Sequence, residues 1–337
     1  MSVLFVTHPA YLEHRTGQGH PERPQRLEAV RAGAAHAGLG DELVALEPRP
    51  ASVEDIERVH SPEYVTALER FCRAGGGRLD ADTVAGPPSW EAALLAAGAG
   101  LDAAARLQAG EAEAAFCAVR PPGHHALETR AMGFCLFNNI AVTAAALAAT
   151  GDRLFVVDID AHHGNGTQEM FYADPRVVYV SFHQSPLYPG TGSVLETGEG
   201  VAAGTTVNVP LPPGATGDIY RQAINDLVVP LALERRPDWL LISAGFDAHR
   251  DDPLTEMGLS AGDYGDITLD LLELVPAGRR ILFLEGGYDL NALQACTTTT
   301  LAALVGERAH PERPTGGGPG GEIIPLVEVA HRRAVGA

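Results

Sequence analysis

The chain has 337 residues, 45% of them hydrophobic, and a formal net charge of −19. That length admits one large α/β domain, and the apolar share is enough for a sizeable core. The acidic balance argues against a nucleic-acid partner, which needs clustered Lys and Arg; it suits a surface that simply keeps the protein soluble, and beside that cationic partners such as polyamines or basic protein tails.

No apolar run reaches the roughly 18 residues needed to cross a bilayer, and the opening Ser2–Thr7 is too short for a signal segment. Cys72, Cys117, Cys135 and Cys296 form no CxxC pair, so neither a disulfide framework nor a thiolate metal site is expected. A soluble, cytoplasmic enzyme is the expectation. All 24 basic residues are Arg, which excludes a catalytic lysine, and the Ala, Gly, Pro and Arg bias suits a GC-rich bacterial genome.

In chain order, short apolar runs predict strands over 2–7, 114–119, 153–158, 177–182, 205–210, 238–243 and 280–284. Several are continuous Val/Leu/Ile/Phe runs, which suit strands buried on both faces of a parallel sheet. Helical patterns fall over 24–37, 52–59, 62–74, 89–108, 138–149, 218–234, 261–275 and 289–305. Pro24 suits a first helical turn, and Asn138 or Asn139 a cap. The alternation implies an α/β fold, one doubly wound, mostly parallel sheet with helices on both faces. A single domain over 1–309 is expected, followed by a Pro/Gly-rich tail over 310–337 whose stretch 315–321 reads as a mobile linker.

Polar clusters directly follow four of the predicted strands. They are Arg120-Pro-Pro-Gly-His124-His125, Asp158-Ile-Asp160-Ala-His162-His163-Gly-Asn165, Ala244-Gly-Phe-Asp247 and Glu285-Gly-Gly-Tyr288. Open α/β sheets bind ligands beyond the carboxyl ends of their strands, so the four loops are expected to share one crevice. Asp158, Asp160 and His162 are spaced by two and would point to one side of an extended backbone. Asp160 and His162, with Asp247 from another strand, can hold one zinc-like ion and leave a coordination position open for water. His124 or His125 can serve as base and then acid, with Asp158 and Asn165 available to orient them. Tyr288 can donate to a developing oxyanion. Phe134, beside Gly133, and Tyr188 are fit to line a narrow apolar tube. Taken singly, each of these aromatics more often serves packing.

Together the segments 120–126, 133–139, 158–166, 188–192, 244–247 and 285–288 resemble the zinc-dependent histone deacetylase and acetylpolyamine amidohydrolase family, in its class II-like bacterial branch. The resemblance implies the arginase/deacetylase fold. It implies zinc on Asp160, His162 and Asp247, His125 as general base and acid, and His124 paired with Asp158 in an electrostatic role. Tyr288 would polarise the acyl carbonyl, Phe134 and Tyr188 would wall the acyl-lysine channel, and Gly133 would present a backbone carbonyl. Structural K+ is also implied, near Asp158, Asp160, His162, Ser181 and Phe182, with Phe171, Asp174 and Val177 matching part of a second site. The family usually carries Phe where Tyr188 stands. Leu254, seven residues after Asp247, occupies a position that is acidic in polyamine-selective members, which favours acetylated lysine in peptides or proteins over acetylated polyamines. The readings kept beside it are a polyamine amidohydrolase, a non-catalytic binder of acylated amines and a binuclear ureohydrolase. No membrane partner is expected, and the reading allows a homo-oligomer.

Overall fold

The structure, a computed structural model, describes residues 1–336. Ten strands occur, β1 Val3–Val6, β2 Leu43–Leu46, β3 Gly77–Arg78, β4 Val84–Ala85, β5 Ala114–Cys117, β6 Leu154–Asp158, β7 Val177–Gln184, β8 Thr206–Leu211, β9 Trp239–Ala244 and β10 Arg280–Leu284. The helices are α1 Gln25–Ala37, α2 Val53–Ile56, α3 Pro62–Arg73, α4 Pro87–Gln108, α5 Asn139–Ala149, α6 Asn165–Phe171, α7 Gly217–Ala223, α8 Val229–Arg235, α9 Ala261–Leu272, α10 Leu290–Leu304 and α11 Ile323–Ala334. Eight strands form one sheet in the order β2-β1-β5-β10-β9-β6-β7-β8, every pair parallel, while β3 and β4 make a separate antiparallel ladder.

Burial explains the central strands. Every residue of β5, β6, β7 and β9 is buried, so their side chains meet helices on both sides rather than solvent on one. Helices α1, α10 and α9 pack together in one layer, and α4 packs with α3 and α5 in another. Several helices start at side-chain caps that fix where the preceding loop ends. Asn138 accepts from Ala141 N at 3.1 Å ahead of α5, and Asp289 accepts from Ala292 N at 2.8 Å ahead of α10. The second cap directly follows Tyr288, so a rigid helix begins where the Gly-Gly-Tyr loop stops.

The structure departs from the sequence reading at several places. Strand β2 is half exposed at the sheet edge, and its four residues carry no periodic signal. Helix α6 lies in a stretch read as loop. The single helix expected over 218–234 is α7, a π-helical turn over Ile224–Val228, and α8, with Pro230 in the first turn of α8. The stretch read as a mobile linker is tied to the body. Thr315 Oγ1 donates to Asp263 at 2.7 Å, Gly317 N to Asp218 at 2.8 Å and Gly318 N to Thr216 at 2.9 Å. Beyond it, α11 buries Ile324, Val327 and Ala330 and packs on the edge strand β8, giving that edge a cover.

Candidate functional site

In the sheet, β5, β10, β9 and β6 are consecutive neighbours, so the four polar loops leave from adjacent strand ends. Glu285, at the end of β10, binds two of the loops together. Its Oε2 accepts from Gly123 N at 2.7 Å and His124 N at 3.1 Å, which holds the backbone ahead of the two histidines.

The histidines diverge. His124 Nδ1 is 3.0 Å from Asp158 Oδ2, which also accepts from the Tyr179 hydroxyl at 3.1 Å. His125 Nδ1 is 2.8 Å from Asn165 Oδ1. Their environments push them apart in charge. Burial opposes the cation at His124, yet Asp158 and Asp160 outweigh it and lift the pKa to about 10. Burial also opposes the cation at His125, and there the nearby His124 and His162 reinforce it, so this ring is held well below its usual range. These surroundings favour the cation at His124 and the neutral ring at His125, with ring centres 4.0 Å apart.

Asp160 and Asp247 are buried and His162 is partly so, and the three offer ligand atoms that lie within 4.8 Å of one another. His162 Nδ1 stands 3.1 Å from Asp160 Oδ1 and 3.0 Å from Asp247 Oδ2. Backbone groups fix the other oxygens: Gly286 N donates to Asp160 Oδ2 at 2.8 Å, and Ala161 N to Asp247 Oδ1 at 2.8 Å. A Cβ on Gly245 would run into the Asp160 carboxylate, and one on Gly286 into that of Asp247, so both glycines keep this space open. Two buried carboxylates around one imidazole could hold a cation between them. The donor set and its spacing fit a divalent metal with an open position. The expectation of one extended backbone is not met, because β6 ends at Asp158 and the chain turns. Asp160 and His162 converge from that turn, while Asp158 faces His124.

Above this cluster lies a cavity of about 250 Å³, whose lining includes Asp82, His125, Gly133, Phe134, Tyr188, Leu254 and Tyr288. Gly133 and Phe134 both have left-handed backbones, φ 55° and 68°. A Cβ on Gly133 would press into the His125 ring, so only glycine fits there. The unusual conformation of Phe134 directs its ring toward Tyr288, with ring centres 5.8 Å apart. Tyr188 stacks edge-on to His125 at 5.2 Å and is 39% exposed, so it walls the cavity and reaches its mouth. Leu254, 36% exposed, lies at the same mouth. Two larger surface clefts, each of about 630 Å³, lie elsewhere and hold none of these groups.

The structure adds Arg26 and Asp82, which sequence reading passed over, and turns Asp252, an acidic neighbour of Leu254 that suits a polyamine in the sequence, toward backbone amides. Arg26 sits over the Tyr288 ring with its guanidinium carbon 4.9 Å from the centroid, and it donates to Gly287 O at 2.6 Å and to Glu285 O. Asp252 Oδ2 accepts from Tyr288 N at 2.7 Å. Asp82 lines the mouth. For Arg26 the sequence held a weak signal, the i,i+4 pair Glu22–Arg26 at the start of an otherwise apolar helix face.

An open parallel sheet with a carboxylate–histidine cluster and a histidine pair at its strand ends defines an α/β protein whose site could hold a metal ion. The comparisons narrow the class. The histone deacetylase domain model matches residues 20–304, and the chain belongs to that family. It is 41% identical over 313 residues to a probable deacetylase of Archaeoglobus fulgidus, covering 91% of this chain and 87% of that protein. It is 40% identical over 298 residues to a histone deacetylase-like amidohydrolase of Pseudomonas aeruginosa, covering 86% and 78%. The crystal structure of the HDA15 HD domain matches with a TM-score of 0.91 at 36% identity, covering 98% of this chain and 94% of that one. The fold is therefore the arginase/deacetylase fold, and the chain is a histone deacetylase-family hydrolase.

Proposed function

We propose that this protein is a zinc-dependent deacetylase that hydrolyses the acyl amide of lysine side chains or related small amines. The observation that carries the reading is the pair His124/His125, one backed by the Asp158 carboxylate and the other by the Asn165 amide, set beside Asp160, His162 and Asp247 next to a narrow aromatic-walled cavity. A zinc ion held by those three residues would supply Lewis acidity toward the carbonyl and lower the pKa of water.

The remaining work falls to this chain's own side chains. Neutral His125 accepts a proton from the attacking water and returns it to the departing amine, so water and amide become carboxylic acid and amine. His124, cationic beside Asp158, offsets negative charge without losing its proton. The Tyr288 hydroxyl donates to the carbonyl oxygen as charge develops there. Phe134 and Tyr188 hold the methylenes of the acylated side chain and exclude water, and Leu254 gives the mouth an apolar edge. The same reading includes structural K+ near Asp158 and Ser181, which are register partners in β6 and β7. It also includes a reducing, cytoplasmic location, which suits the four buried, unpaired cysteines. Among the described residues no helix is long and apolar enough to cross a membrane.

Acetylated polyamines form a second reading, favoured by the Asp82 carboxylate at the mouth, which suits a distal ammonium. A panel of acyl-lysine peptides and acetylated putrescine and spermidine, assayed with zinc content measured in parallel, separates the two. The lysine reading expects higher kcat/KM on the peptides. Far faster cleavage of the polyamines overturns it.

A further inference from the structure

The C-terminal segment reaches back to the loop that carries Asp247. Glu312 Oε2 accepts from His249 Nε2 at 2.8 Å and from Ala261 N at 2.8 Å, and Oε1 accepts from Arg250 at 2.9 Å. His249 is buried, and its Nδ1 accepts from Asp251 N at 3.2 Å. The ring proton therefore sits on Nε2, directed at Glu312, and the tautomer is set from both sides. The turn continues with Asp252 N donating to His249 O at 2.9 Å. The Asp252 carboxylate then accepts from Leu254 N at 2.9 Å and from Tyr288 N at 2.7 Å.

We propose that Glu312 is a positioning residue for Tyr288, acting through His249 and Asp252, so that the C-terminal strap sets the geometry of the hydrolytic site. The need for such a hold follows from the backbone. Tyr288 is preceded by Gly286 and Gly287, the latter at φ 115°, and this pair restrains its own torsions poorly. Two groups fix the approach. Arg26 takes the Gly287 carbonyl on one side, and Asp252 takes the Tyr288 N–H on the other. Asp252 in turn is only as fixed as its turn, which His249 and Glu312 anchor. His249, Asp251 and Glu312 also cluster closely enough to suggest a second metal site. Arg250 already neutralises Glu312, however, and both His249 nitrogens are engaged, so that cluster works as a brace.

The inference rests on the role given to Tyr288 above. Its test uses the full, zinc-loaded chain carrying Glu312→Ala or Glu312→Gln, each also combined with Tyr288→Phe. Glu312→Ala is expected to lower kcat on an acetyl-lysine peptide about tenfold with KM little changed, because a displaced phenol weakens only transition-state binding. Glu312→Gln, which keeps an acceptor oxygen for His249, is expected to recover much of that loss. In the Tyr288→Phe background Glu312→Ala is expected to change kcat by less than about twofold, since no hydroxyl remains to position. Hydrogen exchange at the Tyr288 amide is expected to quicken in Glu312→Ala. An equal loss of kcat with and without the Tyr288 hydroxyl, or unchanged exchange at that amide, overturns the proposal. If Tyr288→Phe alone leaves kcat intact, the functional reading fails instead, and the exchange measurement still decides whether the strap holds Tyr288.

Discussion

Asn165 Oδ1 stands 2.8 Å from His125 Nδ1, placing a neutral amide behind the same ring whose neighbour, His124, is backed by the Asp158 carboxylate. An amide oxygen fixes the tautomer, with the proton on Nδ1 and the lone pair on Nε2, without favouring the cation as strongly as a carboxylate does. Replacing Asn165 with Asp supplies that carboxylate. The His125 pKa then rises, less of the base is neutral at a given pH, and the acid limb of the kcat/KM profile moves up by about one unit. A limb that stays in place in Asn165→Asp contradicts the assignment of His125 as the base.

Tyr288 is buried against Phe134 and lines the same cavity as His125, and the proposed mechanism gives its hydroxyl the substrate carbonyl. Tyr288→Phe removes that donor and little else. It is expected to lower kcat by roughly 100- to 1,000-fold, the cost typical of losing one oxyanion donor, with zinc content unchanged. Retention of wild-type kcat would instead favour a non-catalytic binder of acylated amines.

Leu254 tests substrate choice. A carboxylate introduced there by Leu254→Glu would join Asp82 at the mouth and attract a distal ammonium. A half-exposed ion pair contributes about 1 kcal/mol, so the ratio of kcat/KM for acetylspermidine over an acetyl-lysine peptide is expected to rise about fivefold. An unchanged ratio would mean that the mouth does not select by charge.

His60 gives a pH-linked prediction remote from the metal cluster. Its Nδ1–H donates to Leu127 O at 2.9 Å while Nε2 accepts from Asn138 N at 2.9 Å, an arrangement that only the neutral ring satisfies. Burial, partly opposed by the Leu127 and Glu128 carbonyls, lowers its pKa from 6.5 to about 4. Above 6.5 both folded and unfolded chains hold it neutral, and between 6.5 and about 4 only the unfolded chain takes the proton. Stability is therefore lost as pH falls through that window, by about 1.4 kcal/mol per pH unit from this residue. Denaturant titrations of wild type and His60→Gln should converge as pH drops, because the variant lacks this penalty. A stability gap that stays constant with pH contradicts the linkage.

Much of the fold and the site could be read from the residues, for a physical reason. Fully buried parallel strands such as β6 and β9 leave continuous apolar runs, and the side chains that reach a ligand come directly after them. Asp160, His162, Asp247, His124, His125 and Tyr288 all stand in such positions. What escaped notice depended on distant partners. Arg26 meets Gly287 across 261 residues and Asp252 meets Tyr288 across 36, and no local pattern marks either contact. The Gly-rich stretch after residue 314 suggested free chain, but its backbone amides find acceptors in Asp218, Asp263 and Thr216. The amphipathic spacing of Ile324, Val327 and Ala330 beyond it was the available clue to α11.

The most direct measurement is a zinc titration of chelator-stripped protein, followed by hydrolysis of an acetyl-lysine peptide and repeated with Asp247→Ala. Activity that rises linearly and saturates at about one zinc per chain, with neither tight zinc binding nor turnover in the variant, is the expected result. Full turnover by metal-free protein, or saturation only at two metals per chain, would contradict a single-metal deacetylase built on Asp160, His162 and Asp247.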